Sequence, residues 1–525
     1  MDVLFAEKSK REVTQLNEDT IKDLAIYDIA DNIADNETEM LVIKDIFTHI
    51  PKDIRDMQFR QDIMKDLLDS EELTEELAEA VSHIKTLRDF GASRTRRMND
   101  EKSLYVLLED LRELDTYVIV TEKIRDCLSA HDIKSEGLKR VLEETDKIVS
   151  DEKFELAKKD IKTMLKDLSN VRGAIIGVNF TPDLNIDTVT MVDFKPHKIK
   201  SKYKFAEIAS GFHNILASAA ATNSIGSPFV PTRVYDPLLV SMTPLVEKHI
   251  KLQCGRMKRL LSKYIRLDSG PITEMYEGFL YYIAMARFSR RLKSEGCVIS
   301  VPELAEKEAG TVELSMKELY NVRLFLAGEK NIVKNDFTFS PEENLYILTG
   351  PNRGGKTIIE QAIGINSILA ASGSYVMASQ FKGRPFGNIL THFPIDENLT
   401  INYGRLGEEA IRIKEIVKEA DSMTLILFNE TYSTTSSSDG LYLSKDLLHV
   451  LKEKGVAAIF NTHIHEVARA IDEMNKWEGR SSFISIIMEI KDNQNTFKVK
   501  RSEPDSCSYA RNIAEKYGIT YEQMK

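Results

Sequence analysis

The chain has 525 residues, of which 42% are hydrophobic and 29% are charged, and its formal net charge is −11 from 71 basic and 82 acidic residues. This length exceeds what one hydrophobic core serves and suits about two to four domains of an ordinary globular protein. The acidic balance does not favour a protein that coats nucleic acid through its overall charge, although local basic stripes remain compatible with phosphate binding.

The sequence predicts a cytoplasmic protein with no membrane segment. No apolar run approaches the roughly 20 residues that span a bilayer. The amino terminus lacks the basic-then-apolar form of a signal peptide. The four cysteines lie far apart without a C-x-x-C pair; they are Cys127, Cys254, Cys297 and Cys507. That spacing favours reduced thiols over a disulfide framework or a zinc site.

The amino-terminal part, from residue 1 to about 170, is charged, poor in glycine and proline, and helical in period. In Ser103–Leu111, for example, apolar side chains recur at steps of three and four residues. Such stripes must be buried against one another, so the sequence predicts a helical bundle or lever. We expect a multidomain protein, with an all-α lever or core domain over residues 1–330 and an α/β domain over residues 331–525.

Short strands interrupt and follow this helical part. Ala174–Phe180 and Asp187–Val192 have the pattern of two strands joined by a turn, so a small β-hairpin insertion is expected near residues 174–192. Helices are expected to resume from about residue 240 to 293. Val322–Phe339 is typical of short strands that lead into the next domain.

Beyond residue 340, predicted strands and helices alternate. Strands are expected at Leu345–Thr349, Thr424–Phe428 and Val456–Asn461, with one helix after the first strand and another through Leu441–Glu453. This alternation indicates a mainly parallel α/β sheet, in which ligands bind beyond the carboxyl ends of the strands.

A glycine-rich loop connects the first of these strands to its helix. Its residues fit the pattern G-x-x-x-x-G-K-[ST]; they are Gly350, Pro351, Asn352, Arg353, Gly354, Gly355, Lys356 and Thr357. In that pattern the backbone N–H groups and the helix N-terminus bind nucleotide phosphates. Lys356 is expected to reach the β- and γ-phosphates, and the Thr357 hydroxyl to bind Mg²⁺. A chance glycine-rich turn is the alternative.

Polar residues at the ends of the next two strands complete the expected site. Glu430 is the candidate to polarise an attacking water. Asn429 precedes it and offers Mg²⁺ a neutral carbonyl oxygen, so we expect weaker Mg²⁺ dependence or slower hydrolysis than a carboxylate gives. Water around the metal is the alternative, in which case the amide changes little.

A histidine follows the third strand. His463 is expected to contact a γ-phosphate or to stabilise charge there, which makes Glu430, His463 and Lys356 the catalytic candidates. The spacing of His463 and His465 matches no zinc motif. A structural role is a fair alternative for His465.

Taken together, these residues resemble the MutS family of DNA mismatch-repair ATPases. The stretch Thr349–Thr357 resembles the family's T-G-P-N-M-G-G-K-S, and Thr462–Glu466 resembles its T-H-x-x-E. Val333–Asp336 resembles the family's V-P-N-D. Asn429–Glu430, followed by Thr434–Gly440, resembles its D-E-x-G-R-G-T-S-T-x-D-G. Ser508–Ala514 resembles its S-Y-G-I-x-V-A. The resemblance is specific over about residues 330–525, whereas residues 39–326 are similar to the family's lever domain in texture only.

The resemblance implies an ABC-type ATPase domain that uses ATP with Mg²⁺ and forms a homodimer. Each nucleotide then lies between two subunits, and the second subunit presents a helix N-terminus to the γ-phosphate. By position that helix opens near Gly404–Glu409, where this chain lacks the family's serine. Arg405 is a candidate to supply a cation there, with an ordinary surface arginine as the equal alternative.

Some parts of the family pattern are missing from the sequence. We expect a short member without the N-terminal mismatch-reading domain, the full DNA clamp or the Smr domain. Phe5-Ala6-Glu7 has the letters of the mismatch-reading Phe-x-Glu, but no domain is expected around it. The run Ser433–Ser438 lacks the family's Gly-Arg-Gly. The resemblance therefore does not extend to mismatch recognition itself.

The sequence leaves two functions open. One is a DNA-dependent ATPase, a homodimer that binds duplex or branched DNA without sequence preference and moves its arms as ATP binds or is hydrolysed. The alternative is a nucleotide-gated interaction protein with weak hydrolysis, whose partners are structured RNA, the ribosome or proteins. A transporter ATPase is disfavoured because the usual L-S-G-G-Q helix start is absent.

The most concentrated basic cluster follows the expected hairpin and contains Lys198, Lys200 and Lys202. We expect it to bind DNA phosphates, with a solvated surface as the alternative. Neutralising the three lysines should weaken duplex binding and lower its log–log salt slope by about 0.9 per lost contact. Titrations at several salt concentrations measure this, and an unchanged slope would exclude the cluster as the site.

Overall fold

The computed structural model describes the chain except for residues 8–10, 95–103, 169–171, 200–246, 265–267, 306–312, 352, 395–404, 434, 480, 492–493, 504–517 and 519–520. The chain divides into two compact units. The first unit holds Met1, 75–133 and 138–279; the second holds 2–74, 134–137 and 280–525. The units are defined by contacts within the fold, and their limits differ from the domain limits expected from the sequence, 1–330 and 331–525. The expected domains remain a prediction.

The described elements are numbered in chain order. The helices are α1 (Glu18–Asp23), α2 (Ile26–Ile33), α3 (Glu37–Thr48), α4 (Ile54–Asp69), α5 (Glu71–Arg94), α6 (Leu104–Ala130), α7 (Glu136–Val149), α8 (Glu152–Leu168), α9 (Lys251–Leu261), α10 (Gly270–Thr273), α11 (Tyr276–Ser294), α12 (Val322–Leu326), α13 (Lys356–Ala371), α14 (Arg405–Glu419), α15 (Ser437–Lys454), α16 (His465–Arg469), α17 (Ile471–Met474) and α18 (Tyr521–Met524). The strands are β1 (Val13–Gln15), β2 (His49–Pro51), β3 (Gly173–Phe180), β4 (Ile186–Lys195), β5 (Glu303–Leu304), β6 (Leu314–Leu319), β7 (Asn335–Phe339), β8 (Glu343–Thr349), β9 (Gln380–Gly383), β10 (Asn388–His392), β11 (Thr424–Asn429), β12 (Ala457–Asn461), β13 (Ser482–Lys491) and β14 (Gln494–Arg501).

The described part of the first unit is helical apart from one hairpin. Along α6, buried Leu107, Leu111, Leu114 and Val118 recur at steps of three and four residues, which is the spacing of one helix face. This helix packs against α8 and α9. The helical character expected from the sequence is therefore present, while its action as a lever stays a prediction.

The hairpin expected near residues 174–192 is present in the first unit. Its strands β3 and β4 pair antiparallel over their whole length, with two register shifts. Phe180, at the end of β3, is exposed. Lys198 follows the hairpin and is also exposed, whereas Lys200 and Lys202 lie outside the described residues.

A six-stranded sheet forms the centre of the second unit, in the order β10-β11-β12-β8-β13-β14. The first five strands are parallel, and β14 pairs antiparallel with β13. Every residue of β11 and β12 is buried, as is typical of parallel strands that are covered on both faces. The mixed helix-and-sheet architecture expected for the carboxyl-terminal part is confirmed.

The second unit also contains a four-stranded sheet, in the order β5-β9-β6-β7. The expectation of strands throughout Val322–Phe339 is wrong for its first part. Val322–Leu326 forms helix α12 because the side chain of Asn321 caps it, accepting a hydrogen bond from the Arg323 N–H at 3.0 Å. Asn335–Phe339 forms β7, as expected.

The amino-terminal helix α1 packs along strand β10 in the second unit. The Thr20 hydroxyl donates to the Ile389 carbonyl at 3.1 Å, and the Thr391 hydroxyl donates to the Asp23 carboxylate at 2.7 Å. The Gln361 amide of α13 donates to the Asp23 carbonyl at 2.8 Å. These bonds attach the first helix of the chain to both a sheet strand and the helix that follows the glycine-rich loop.

Two simpler expectations concern membranes and thiols. In the part of the chain that the structure describes, no helix is long and apolar enough to cross a membrane. Cys127, Cys254 and Cys297 are free thiols, as their spacing in the sequence predicts. Cys507 lies outside the described residues.

Gly373, just after α13, has a φ of +77°, and a Cβ there would stand 2.2 Å from the Cβ of Arg60 in α4. Gly373→Ala must therefore displace α4, and we expect it to lower the free energy of unfolding by about 2 kcal/mol or more. Gly455→Ala is the control, since its φ is +69° but no atom lies within 4 Å. Thermal and urea unfolding measure both; equal losses would contradict the prediction.

Candidate functional site

The glycine-rich loop runs from the end of β8 to the start of α13. Gly350 has a φ of +144° and Gly355 a φ of +95°, and Gly355 is the N-cap of α13. A Cβ on Gly355 would lie 3.3 Å from the ring of Phe497, so glycine is favoured by both conformation and space. The loop and the helix N-terminus together form an arrangement that binds anions. Asn352 lies outside the described residues.

Lys356 opens α13 and is almost fully buried. Its ammonium donates to the Gly350 carbonyl at 3.0 Å and to the Pro351 carbonyl at 3.5 Å, so it lies against the loop that precedes it. Burial lowers the pKa of Lys356, and the charge of Glu430 opposes that shift. A buried cation that is held by neutral carbonyls forms stronger hydrogen bonds when an anion replaces them.

Polar side chains meet at the ends of β11 and β12. The Thr357 hydroxyl donates to Asn429 Oδ1 at 3.3 Å. Asn461 is the register partner of Asn429 and donates to the same oxygen at 2.6 Å. The side chain of Asn429 is thus held by β12 with its oxygen facing the first turn of α13.

The side-chain oxygens of Thr357 and Asn429 fit a magnesium ion that is bound together with a nucleotide. Thr357 and Asn429 supply neutral oxygens, which are hard ligands. Among the described residues, no group of three or more His, Cys, Asp or Glu side chains could hold a metal by itself. Mg²⁺ at this position therefore needs phosphate oxygens and water as further ligands.

Glu430 follows Asn429 and pairs with His463. The two side chains approach to 2.7 Å between Glu430 Oε1 and His463 Nε2, and each is 36% exposed. This hydrogen bond lowers the pKa of Glu430, with the charges of His463 and Lys356 in support and burial in opposition. Glu430 is therefore an ionised carboxylate at neutral pH, held at the edge of the site and open to water.

A second carboxyl, Glu360, lies one turn into α13 and has no exposed surface. It accepts a hydrogen bond from Asn461 at 3.3 Å, and its Oε1 has no partner among the described residues. Burial raises its pKa well above the ordinary value. Glu360 is therefore favoured in the protonated, neutral form behind the loop.

A cavity of about 520 Å³ opens beside these residues. It is lined by the glycine-rich loop and Glu430 and also by apolar side chains of Leu324, Ile332, Val333 and Phe497. A volume of this size is in the range of cofactor sites. The cavity therefore offers apolar side chains for a flat ring and polar groups for an anion.

The structure brings most of the expected site residues together. Around the loop it places Gly350, Pro351, Arg353, Gly354, Gly355, Lys356, Thr357, Asn429, Glu430 and His463. Lys198 belongs to the other compact unit. Arg405 begins α14, and its side chain lies outside the described part of the chain. Their functional roles stay predictions.

Other residues at the site were not singled out from the sequence. Val333 belongs to the stretch that resembles V-P-N-D, but neither it nor Leu324 and Phe497 was expected to line a cavity. Glu360 has the spacing of an ordinary helix residue, and Asn461 ended an expected strand without a role. A polar residue in an otherwise apolar helix face is the signal that identifies Glu360.

Comparisons with known proteins match both parts of the chain. The model of MutS domain V matches residues 346–523, and the model of the MutS2 N-terminal domain matches residues 52–199. Endonuclease MutS2 of Thermus thermophilus is 28% identical over 281 residues, which are 52% of this chain and 34% of that protein. DNA mismatch repair protein MutS of Streptococcus uberis is 24% identical over 220 residues, 42% of this chain and 25% of that protein.

A third relative, Endonuclease MutS2 of Lactococcus lactis, is 30% identical over 168 residues, which are 31% of this chain and 22% of that protein. The chain thus spans between 22% and 34% of the length of these three relatives. Because so small a share of their length is matched, the activities of the whole relatives are not assigned to this chain.

His463→Ala should raise the pKa of Glu430, since the hydrogen bond that lowers it is removed. The hydrogen bond between His463 and ionised Glu430 is fully present above the ordinary pKa of the carboxyl. It is lost as the pH falls through the lowered pKa of Glu430. We therefore expect the acid limb of the ATP hydrolysis predicted from the sequence to move to higher pH in the variant. A pH–rate profile measures this, with exposed His449→Ala as the control. An acid limb that stays in place would contradict the assignment.

Proposed function

From the premise that this chain belongs to the MutS family, we propose that it binds ATP with Mg²⁺ at the glycine-rich loop and hydrolyses it to ADP and phosphate. The observation that carries this proposal is the convergence of Lys356, Thr357, Asn429 and Glu430 at the carboxyl ends of parallel strands, beside one cavity of about 520 Å³. This is where open α/β sheets bind their ligands.

The loop is proposed to act as a P-loop. Its backbone N–H groups bind the phosphates, and Lys356 exchanges the Gly350 carbonyl for a phosphate oxygen. Thr357 and Asn429 hold the magnesium side of the site through their oxygens. Mg²⁺ supplies neutralisation of the phosphate charge when it is bound. The apolar side chains that line the cavity accept the base.

Glu430 is proposed to orient and polarise the attacking water. Its lowered pKa keeps it ionised, and its partial exposure leaves room for water. His463 holds the carboxylate through the 2.7 Å contact and is proposed to stabilise charge that develops on the phosphate. Glu430 thus accepts the proton of the water, and His463 fixes the orientation of the Glu430 carboxylate.

The proposal extends to assembly and partners through the family. The ATPase domain, residues 331–525, is proposed to form a homodimer, and the helical domain, residues 1–330, to act as an arm that contacts duplex or branched DNA without sequence preference. Exposed Lys198 after the hairpin supports such a contact. The word endonuclease in the names of two relatives is not carried over, because the match covers 34% or less of those proteins.

Asn429 favours a second candidate function. Its amide brings no charge, and its oxygen already accepts two hydrogen bonds, from Thr357 and Asn461. Slow hydrolysis suits a nucleotide-gated interaction protein, whose partners are structured RNA, the ribosome or other proteins. Titrating the ATPase rate with branched DNA, plain duplex and RNA separates the two, since the first function requires stimulation by DNA.

The ATP-binding proposal is tested by Lys356→Ala. A charged group's hydrogen bonds contribute roughly 1.5–3 kcal/mol, so the variant should bind Mg²⁺-ATP on the order of tenfold to a hundredfold more weakly. Exposed Lys414→Ala in α14 is the matched control and should bind as the unchanged protein does. Equilibrium binding of labelled ATP is the measurement. An unchanged protein that retains no ATP with Mg²⁺ would overturn the proposal.

A further inference from the structure

The turn after β11 has a strained backbone. Glu430 has a φ of +54° and Tyr432 a φ of +60°, although neither is glycine. Each such residue costs on the order of 1–3 kcal/mol, and the conformation persists only where the surroundings hold it. The carboxylate proposed to act on water is one of the two strained residues, so whatever holds this turn also aims Glu430.

Three different elements hold the turn. The Glu430 N–H donates to the Asn461 carbonyl of β12 at 3.0 Å. The Thr431 hydroxyl and the His392 ring nitrogen Nδ1, at the end of β10, share a hydrogen bond of 3.0 Å. The Tyr432 N–H donates to Glu409 Oε1 at 2.7 Å. The last bond is the shortest and the only one of these three with a carboxylate acceptor.

Glu409 comes from helix α14, and its side chain is 14% exposed. His392 Nε2 lies 3.9 Å from the same carboxylate oxygen, but burial lowers the pKa of His392 to about 3, so the imidazole is neutral and forms no ion pair at physiological pH. Burial raises the pKa of Glu409, and the Tyr432 N–H and the charge of Arg412 oppose that shift. The Glu409 oxygen accepts the Tyr432 N–H at 2.7 Å, and this hydrogen bond attaches the turn to α14.

The same helix also holds the turn through apolar packing. The Tyr432 ring is buried in one hydrophobic cluster with Ile413 and Ile416 of α14. The Tyr432 N–H is thus bonded to α14, and its ring lies in a hydrophobic cluster to which this helix also contributes. Only Thr431 separates Tyr432 from Glu430, so a shift of this helix would act on the strained backbone at both residues.

We propose that Glu409 is a positioning residue for Glu430: from helix α14 it holds the strained turn that aims the catalytic carboxylate. The inference rests on the proposed ATPase function. It assigns α14 a role within its own subunit, because a displacement of the helix releases the Tyr432 N–H and turns Glu430 away. Hydrolysis then depends on the position of α14, whereas binding of ATP at the glycine-rich loop does not.

The test uses Glu409→Met, which keeps the length of the side chain and the helix but removes the acceptor. The rate constant kcat should fall on the order of tenfold to a hundredfold, while the Kd of Mg²⁺-ATP stays within about twofold. Glu409→Gln should retain most of kcat, since its amide oxygen still accepts the Tyr432 N–H. Exposed Glu415→Ala in the same helix is the control. Glu409→Ala replaces the Met variant if the latter does not fold.

A second measurement needs no activity. Hydrogen exchange of the peptide that contains residues 430–433 should become faster in Glu409→Met and stay unchanged in Glu415→Ala. Normal kcat or unchanged exchange in a folded Glu409→Met would overturn the inference and leave the proposed function standing. A loss of ATP binding equal to the loss of kcat would also overturn it. An unchanged protein that hydrolyses no ATP overturns the proposed function first, and Glu409 then has no catalytic group to position.

Discussion

The parallel alignment of β8, β11 and β12 is the constraint on which the site depends. Asn429 and Asn461 are register partners in one ladder, and Leu348 pairs with Asn461 in the next. Because the three strands end at one edge, side chains that are distant in sequence meet there. Thr357 and Asn429, for example, are 72 positions apart and share a hydrogen bond. A strand reversed in direction would send its polar end to the opposite edge and leave the loop without partners.

Burial then separates the roles of two carboxyl groups. Glu360 has no exposed surface, and desolvation is the largest cause of its raised pKa, larger than the attraction of Lys356. Glu430 is half-buried, and its hydrogen bond with His463 outweighs desolvation, so its pKa is lowered. One acid is thus neutral and structural, while the other is charged and open to water. Environments that shift two like groups in opposite directions are typical of sites that assign them different tasks.

The sequence predicts those parts of the structure that depend on local patterns. Short apolar runs that end in polar residues located β8, β11 and β12, and the glycine pattern located the loop between β8 and α13. Local pattern failed at Val322–Leu326, where a single capping side chain decides for a helix.

Contacts between distant segments could not be predicted from local sequence patterns. The six residues of α1 give no local signal that this helix packs along β10. Glu409 looks like any acidic residue near a helix start, and its role emerges only once the Tyr432 N–H lies 2.7 Å away. Phe497 likewise lines the cavity because β14 is the neighbour of β13, which no local signal reveals.

The attachment of α1 to β10 has a consequence for biosynthesis. The Thr20 hydroxyl bonds to a carbonyl 369 positions later in the chain. Ribosomes add roughly 5–20 residues per second, so the two ends of this bond are made on the order of tens of seconds apart. During that interval α1 cannot pack along β10, because the strand has not yet been made. Helices α2 and α3 are neighbours in the sequence and pack against each other, so their contact can form early, whereas the contact between α1 and β10 forms late in synthesis.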